Sequence, residues 1–257
     1  YLIYLYSPIR NLSSVMIFFD YAKRSYNRIK ELLDILPEDI GNLEVSEVEK
    51  IEVKGLSFSY NGKDGVIKDL NFEINKRDKV LIEGESGSGK STLIKLILGL
   101  YRPQKGEVNI NGINLKEINV NKLREKVGYI SQNVFLFNKT LRENLIFNSN
   151  NISDDKLLNL IQECRLDIKI KSLKKGLDEV VSEKGANFSG GEKQRIALVR
   201  AMIKNPDVII IDEGTSNIDI KTEQEILKIV EKKFKDKIII RITHRETKQG
   251  IWKRILI

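Results

Sequence analysis

A single cysteine and a single histidine among 257 residues remove several chemistries at once. Cys164 has no disulfide partner in the chain, and one cysteine with one histidine cannot furnish the four ligands of an ordinary structural zinc site. So sparing a use of thiols implies a reducing compartment, and Cys164 reads as a small buried hydrophobe. No apolar run reaches the roughly 18 residues expected of a membrane span. The charged, apolar and small-residue succession of a signal peptide is missing. The chain opens on Tyr1 rather than methionine and reads as a fragment of something longer. Internal repeats and low-complexity tracts are absent as well.

What is present suits one large or two small globular units: 41% hydrophobic and 31% charged residues. The formal net charge of +8 fits nucleic acid, a membrane surface or a polyphosphate ligand equally, so charge selects none of them. Residues 1–36 carry helix-spaced apolar positions from Val15 to Leu36, read on hydropathy alone as an amphipathic helix packed on a partner. Pro37, Gly41 and the acids at 44, 47 and 49 read as a linker over 37–50. From Ile51 the pattern turns to strand alternation through Tyr60, with Asn61-Gly62 as a turn and a second strand over 66–74. Short apolar strands recur at 79–82, 127–131, 208–212, 238–243 and 255–257, with helical patterns between them. That order predicts an α/β fold with a mostly parallel sheet and crossover helices. The stretch 135–188 lacks strand patterning and reads as an inserted helical lobe.

Gly84-Glu85-Ser86-Gly87-Ser88-Gly89-Lys90-Ser91 matches the full phosphate-loop pattern, directly after a strand and opening a helix from Thr92. The glycines let successive N–H groups face phosphates, and the helix start adds its partial positive charge. Lys90 is placed to reach the outer phosphates and the Ser91 hydroxyl to ligate Mg²⁺. Val208-Ile-Ile-Ile-Asp212-Glu213 supplies the acidic counterpart: a buried strand delivers Asp212 to the metal, through water, and Glu213 to the proton of an attacking water. Asn187-Phe188-Ser189-Gly190-Gly191-Glu192 opens a second helix and forms a second anion nest. Two phosphate-grasping helix starts but one Mg²⁺ site suggest that each chain lends its second nest to another chain's nucleotide.

In this arrangement the chain resembles the ATP-binding cassette (ABC) family, exporter type, from about Ile51 to the C-terminus. The resemblance implies a P-loop NTPase fold of ABC type with an antiparallel β-subdomain and an inserted helical subdomain. It makes Tyr60 the adenine-stacking aromatic, Gly84 to Thr92 the Walker A loop and Gln132 the glutamine that contacts Mg²⁺ and the attacking water. Phe188 to Glu192 become the signature segment, Asp212 and Glu213 the Walker B pair, Asp219 the D-loop aspartate and His244 the switch histidine that senses the γ-phosphate. Leu136 to Asn144 and Val180 to Gly185 resemble exporter segments, the latter the X-loop that touches the membrane domain. Residues 1–36 become the remnant of a last transmembrane helix, its basic end cytoplasmic.

The implied function is ATP binding and hydrolysis driving efflux, with ATP and Mg²⁺ as cofactors. The implied catalytic residues are Glu213, His244, Lys90 and Gln132, and the implied metal ligands Ser91, Gln132 and Asp212. The expected partners are a second nucleotide-binding domain, alike or different, and the chain's own transmembrane domain at the cell membrane, with this domain on its cytoplasmic side. No nucleic-acid partner is expected: ATPases of that kind insert a long coiled coil between P-loop and signature, and no sustained heptads occur here. A soluble tandem cassette protein acting on ribosomes is the alternative. Three departures from the usual family pattern stand out. The signature reads Phe-Ser-Gly-Gly-Glu where Leu-Ser-Gly-Gly-Gln is usual, so Glu192 adds a negative charge near the partner's nucleotide. Gly214 and Asn217 replace alanines, and the chain stops at Ile257 before the usual closing hairpin and helix.

Overall fold

The computed structural model describes residues 2–34, 38, 40–62, 65–131, 133–147, 152–212, 220–243 and 252–257, with backbone alone for 2–14 and 184. The chain divides into two compact units, Tyr1–Asp39 and Ile40–Ile257. The first is one helix, α1 (Leu2–Leu33), whose side chains at Phe18 and Phe19 are more than two-thirds exposed. Among the described residues no helix is long and apolar enough to cross a membrane.

The second unit holds two sheets. One is antiparallel, in the order β2 (Ile67–Asn75), β1 (Lys50–Phe58), β4 (Lys105–Ile110), β5 (Ile113–Asn114). The pair β4–β5 has no counterpart in the strands read from sequence. Its turn is Asn111-Gly112, both at positive φ (52° and 82°), the chemistry a two-residue hairpin requires. The other sheet is parallel throughout, in the order β6 (Val127–Ile130), β7 (Val208–Asp212), β8 (Ile238–Ile242), β3 (Lys79–Glu83), β9 (Lys253–Leu256). Strands β7 and β8 are buried on both faces, which explains why they read as isoleucine and valine runs instead of alternating, interrupted in β8 only by Arg241.

Alternation still decides which core each side chain joins. Val208, Ile210, Ile238, Ile240 and Ile242 point into a core shared with β1, β4 and helix α2 (Lys90–Ile97). Ile209, Ile211 and Ile239 point the other way, into a core built with α4 (Leu141–Ile146), α5 (Asp154–Glu163), α7 (Gly190–Lys204) and α8 (Ile220–Lys233). Among the described residues the remaining α-helices are α3 (Val120–Glu125) and α6 (Asp167–Ser172), with short 3-10 turns at Gly176–Asp178 and Glu183–Gly185. The acidic stretch after Gly41 is seated on this unit: Leu43 bridges Ile118, Val45 and Val48 are buried, and Val48 N–H donates to Asp207 at 3.2 Å.

Between α8 and β8 lies an ion pair taken almost wholly out of water, Glu223 with Arg241, with side chains 5% and 4% exposed. Breaking a buried pair by removing one member is costly, so Glu223→Ala should lower stability by about 3 kcal/mol, read as a fall in the urea midpoint. Cys164 lies against Met202, with Sγ 3.2 Å from Sδ, and burial pushes its thiol up to about 12. At pH 8 an alkylating reagent should modify it only after denaturant is added, measurable by mass spectrometry.

Candidate nucleotide-binding site

Strand topology gathers the motifs before any side chain is considered. Asp212 of β7 is in register with Ile242 of β8, which is in register with Ile82 of β3. All five strands of this sheet run the same way, so their C-terminal ends share one edge of the sheet, where ligands of open α/β sheets bind. The P-loop follows β3 on that edge, Glu213 follows β7, Gln132 follows β6 by two residues and His244 follows β8 by two. Gln132, Glu213, Asp219 and His244 themselves lie outside the described residues.

The P-loop leads into α2 through Gly89, whose φ of 104° few L-residues adopt; a Cβ there would lie 2.8 Å from Val66 Cγ1. Lys90 is 4% exposed and its Nζ donates to two carbonyls of its own loop, Gly84 at 2.9 Å and Glu85 at 2.7 Å. A buried ammonium is held in this way within the loop, its donors met by the loop's own carbonyls. Thr92 is buried and its Oγ1 lies 2.9 Å from the Tyr60 hydroxyl, which ties the first turn of α2 to the end of β1. Tyr60 is half exposed and makes edge-on contacts with Phe58 and with Tyr101, at 5.1 and 5.4 Å between ring centroids. Tyr101 is an addition to the sequence reading. Its position after the α2 pattern gave no cue that it would reach Tyr60, just beyond β1.

Asp212 has a partner that the sequence did not point to. The Tyr129 hydroxyl of β6 donates to Asp212 Oδ2 at 2.5 Å, and burial together with the carboxylate drives the phenol's pKa well above its usual value. Within an apolar strand pattern Tyr129 looks like one more hydrophobe; only the β6–β7 register, Tyr129 against Ile210, brings its tip to Asp212. Tyr129 also lines a cavity of about 790 Å³ with Phe135, Phe137, Phe147, Arg200 and Lys204. Phe137 stacks on Phe147 at 5.1 Å and meets Phe135 edge-on at 4.9 Å. Burial pulls the Arg200 guanidinium down to about 10, and its donors go to the carbonyls of Phe135 and Asn144. The two segments that resemble exporter sequences meet beside this cavity. Thr140 bridges Val180, Leu141 N–H donates to Glu179 O and Val181 N–H to Lys139 O, both at 2.9 Å.

Ser189 to Glu192 form the start of α7. Ser189 is the N-cap, accepting from Glu192 N–H at 3.3 Å, while Glu192 Oε2 accepts from Ser189 N–H at 2.8 Å, a reciprocal capping box. Glu192 also pairs with Lys169 of α6 at 3.4 Å, so the contacts of this segment belong to the helical lobe.

Fit to a nucleotide and its metal can be judged from the loop. Ser88 Oγ is buried with no hydrogen-bond partner among the described residues, and a Cβ on Gly84 would intrude to 2.6 Å from it. An orphaned hydroxyl beside a buried ammonium and a glycine-lined concavity suit a phosphate. Among the described residues no group of three His, Cys, Asp or Glu side chains is assembled for a metal. The donor set on offer, the Ser91 hydroxyl and the Asp212 carboxylate, suits a hard cation that shares its coordination with phosphate oxygens.

The parallel sheet, the glycine loop and the buried Lys90 define a P-loop nucleotide-binding domain. Residues 67–216 match the family model for the ABC transporter, and the chain belongs to that family. It is 32% identical over 248 residues to the ATP-dependent lipid A-core flippase of Syntrophus aciditrophicus, covering 95% of this chain and 41% of that protein. It is 33% identical over 254 residues to a probable ABC transporter ATP-binding/permease protein of Haemophilus influenzae, covering 98% of this chain and 46% of that one. The solved structure of a bacterial Atm1-family ABC exporter with ATP bound superposes with a TM-score of 0.77 at 30% identity, over 86% of this chain and 39% of that chain. The chain therefore spans less than half the length of these relatives. The ATPase fold is established, and exporters rather than soluble ribosomal ATPases are what it resembles.

Gly89→Ala tests the loop geometry. Forcing a side chain to that φ costs about 1–2 kcal/mol, so affinity for a fluorescent ATP analogue should fall about tenfold, with helix content by circular dichroism unchanged.

Proposed function

We propose that this chain is the ATP-hydrolysing domain of an ABC exporter, seated on the cytoplasmic side of the membrane. Two such domains close face to face around two ATP molecules, and hydrolysis reopens them. The observation that supports this most directly is the buried Lys90 in its loop on the sheet edge where Asp212 ends β7. In this reading Lys90 and the loop N–H groups hold the β- and γ-phosphates, and Tyr60 with Tyr101 offers an aromatic corner to the adenine. Ser91, Gln132 and Asp212, the last through water, would hold Mg²⁺, which when bound neutralises charge on the phosphate oxygens. Glu213 accepts the proton of the attacking water and His244 orients toward the γ-phosphate. Ser189 to Glu192 complete the partner's nucleotide site.

Closure is favoured by ATP only to the extent that ATP binds the closed pair more tightly, which is how it would drive a membrane domain between states. The aromatic cavity beside the joined segments 139–141 and 179–181 is the face we assign to the chain's own membrane domain. Exposed phenylalanines grouped this way are costly in water and suit an apolar partner. Residues 1–36 are assigned to the end of the last membrane helix, and 37–50 to the connection. The exposed Phe18 and Phe19 support that assignment.

Glu213→Gln is the decisive variant. Turnover should fall at least a hundredfold, the usual scale for loss of a positioned base, while ATP-induced pairing persists in sedimentation. Undiminished turnover removes Glu213 from the role of base.

A further inference from the structure

The charge at position 192 finds its answer on the neighbouring helix of the lobe. Lys169 of α6 places Nζ 3.4 Å from Glu192 Oε2, the same oxygen that accepts the Ser189 N–H, and 5.2 Å from the centroid of the Phe188 ring. One ammonium thus contacts both ends of the 188–192 segment. Both members of the ion pair are about one-quarter exposed, 23% and 27%, so the pair is partly shielded from solvent. Phe188 is buried beneath it.

We propose that Lys169 is a positioning residue for the 189–192 anion nest, and that it is the compensation that lets this chain carry glutamate where the family usually has glutamine. The carboxylate is turned back to cap its own helix and its charge is matched, so the N–H groups of Gly190 and Gly191 meet a phosphate without an opposing anion beside them. Ser189 spends only a lone pair on Glu192 N–H, and a hydroxyl keeps its proton to donate. With Lys169 replaced by an uncharged side chain, Glu192 stands unmatched at the helix start and repels the partner's nucleotide. With glutamine at 192 there is no charge to match, while the capping box survives. The effect of Lys169 therefore depends on what stands at 192.

This inference rests on the shared-site reading above, and the experiment separates the two. The parent is the full chain carrying Glu213→Gln, and the quantity read is the ATP concentration giving half-maximal pairing. Affinity for a fluorescent ATP analogue is measured on the unpaired chain. Lys169→Met should raise the pairing concentration about fivefold, the upper range for a partly exposed ion pair, and leave single-chain affinity unchanged. Lys169→Arg should behave as the parent. In a Glu192→Gln background, Lys169→Met should have no further effect, the non-additivity expected of two groups that act through each other. Equal loss in both backgrounds, or no loss in either, overturns the role of Lys169. A parent that fails to pair with ATP overturns the shared site and this proposal with it.

Discussion

The parallel pairing of β7 with β6 on one side and β8 on the other carries the arrangement of the site. Parallel strands place their C-terminal ends on a common edge, and the register sets Asp212, Ile242 and Ile82 at one level across three strands. That pairing is sustained by burial on both faces, since successive residues of β7 serve different cores. A polar residue inside β7 would disturb two cores at once, whereas Asp212, at the strand's end, is satisfied by Tyr129. The sheet edge can hold a buried carboxylate and a buried ammonium because their hydrogen bonds are local: Tyr129 from the neighbouring strand in one case, the loop's own carbonyls in the other.

Much of this was legible in the sequence, for a physical reason. Phosphate binding by a glycine loop uses consecutive residues, so Gly84 to Ser91 carry their geometry in their order, and a buried parallel strand writes itself as a short apolar run. Hairpin β4–β5 left a signal too, Asn111-Gly112 between Val108-Asn109-Ile110 and Ile113-Asn114-Leu115, but that alternation is only three residues long on each side, too short to stand out as a strand pair, and the buried Asn109 donates its amide to Glu107. Contacts between distant segments left none. Tyr129 reaches Asp212 across 83 positions and Lys169 reaches Glu192 across 23, and neither has a spacing that marks it.

The same distinction separates the two helix starts that the sequence marks as anion nests. The P-loop at α2 is organised by side chains of its own loop and of β1, and its fit to a phosphate is a property of consecutive residues. The start of α7 has its own capping box but is also held from outside, by Lys169 of α6, so its shape depends as well on how the helical lobe is packed. A change in lobe packing therefore reaches the start of α7 and leaves the start of α2 as it was.

Cys164 illustrates how burial can be useful to the experimenter. Cys164, the one thiol of this chain, is buried and pressed on Met202, which should keep it from reagents in the folded state. A single cysteine introduced on the surface would carry a dye or spin label with no background to subtract. The distance between two labelled copies could then be followed through a cycle of nucleotide addition without first stripping the protein of its own sulfur.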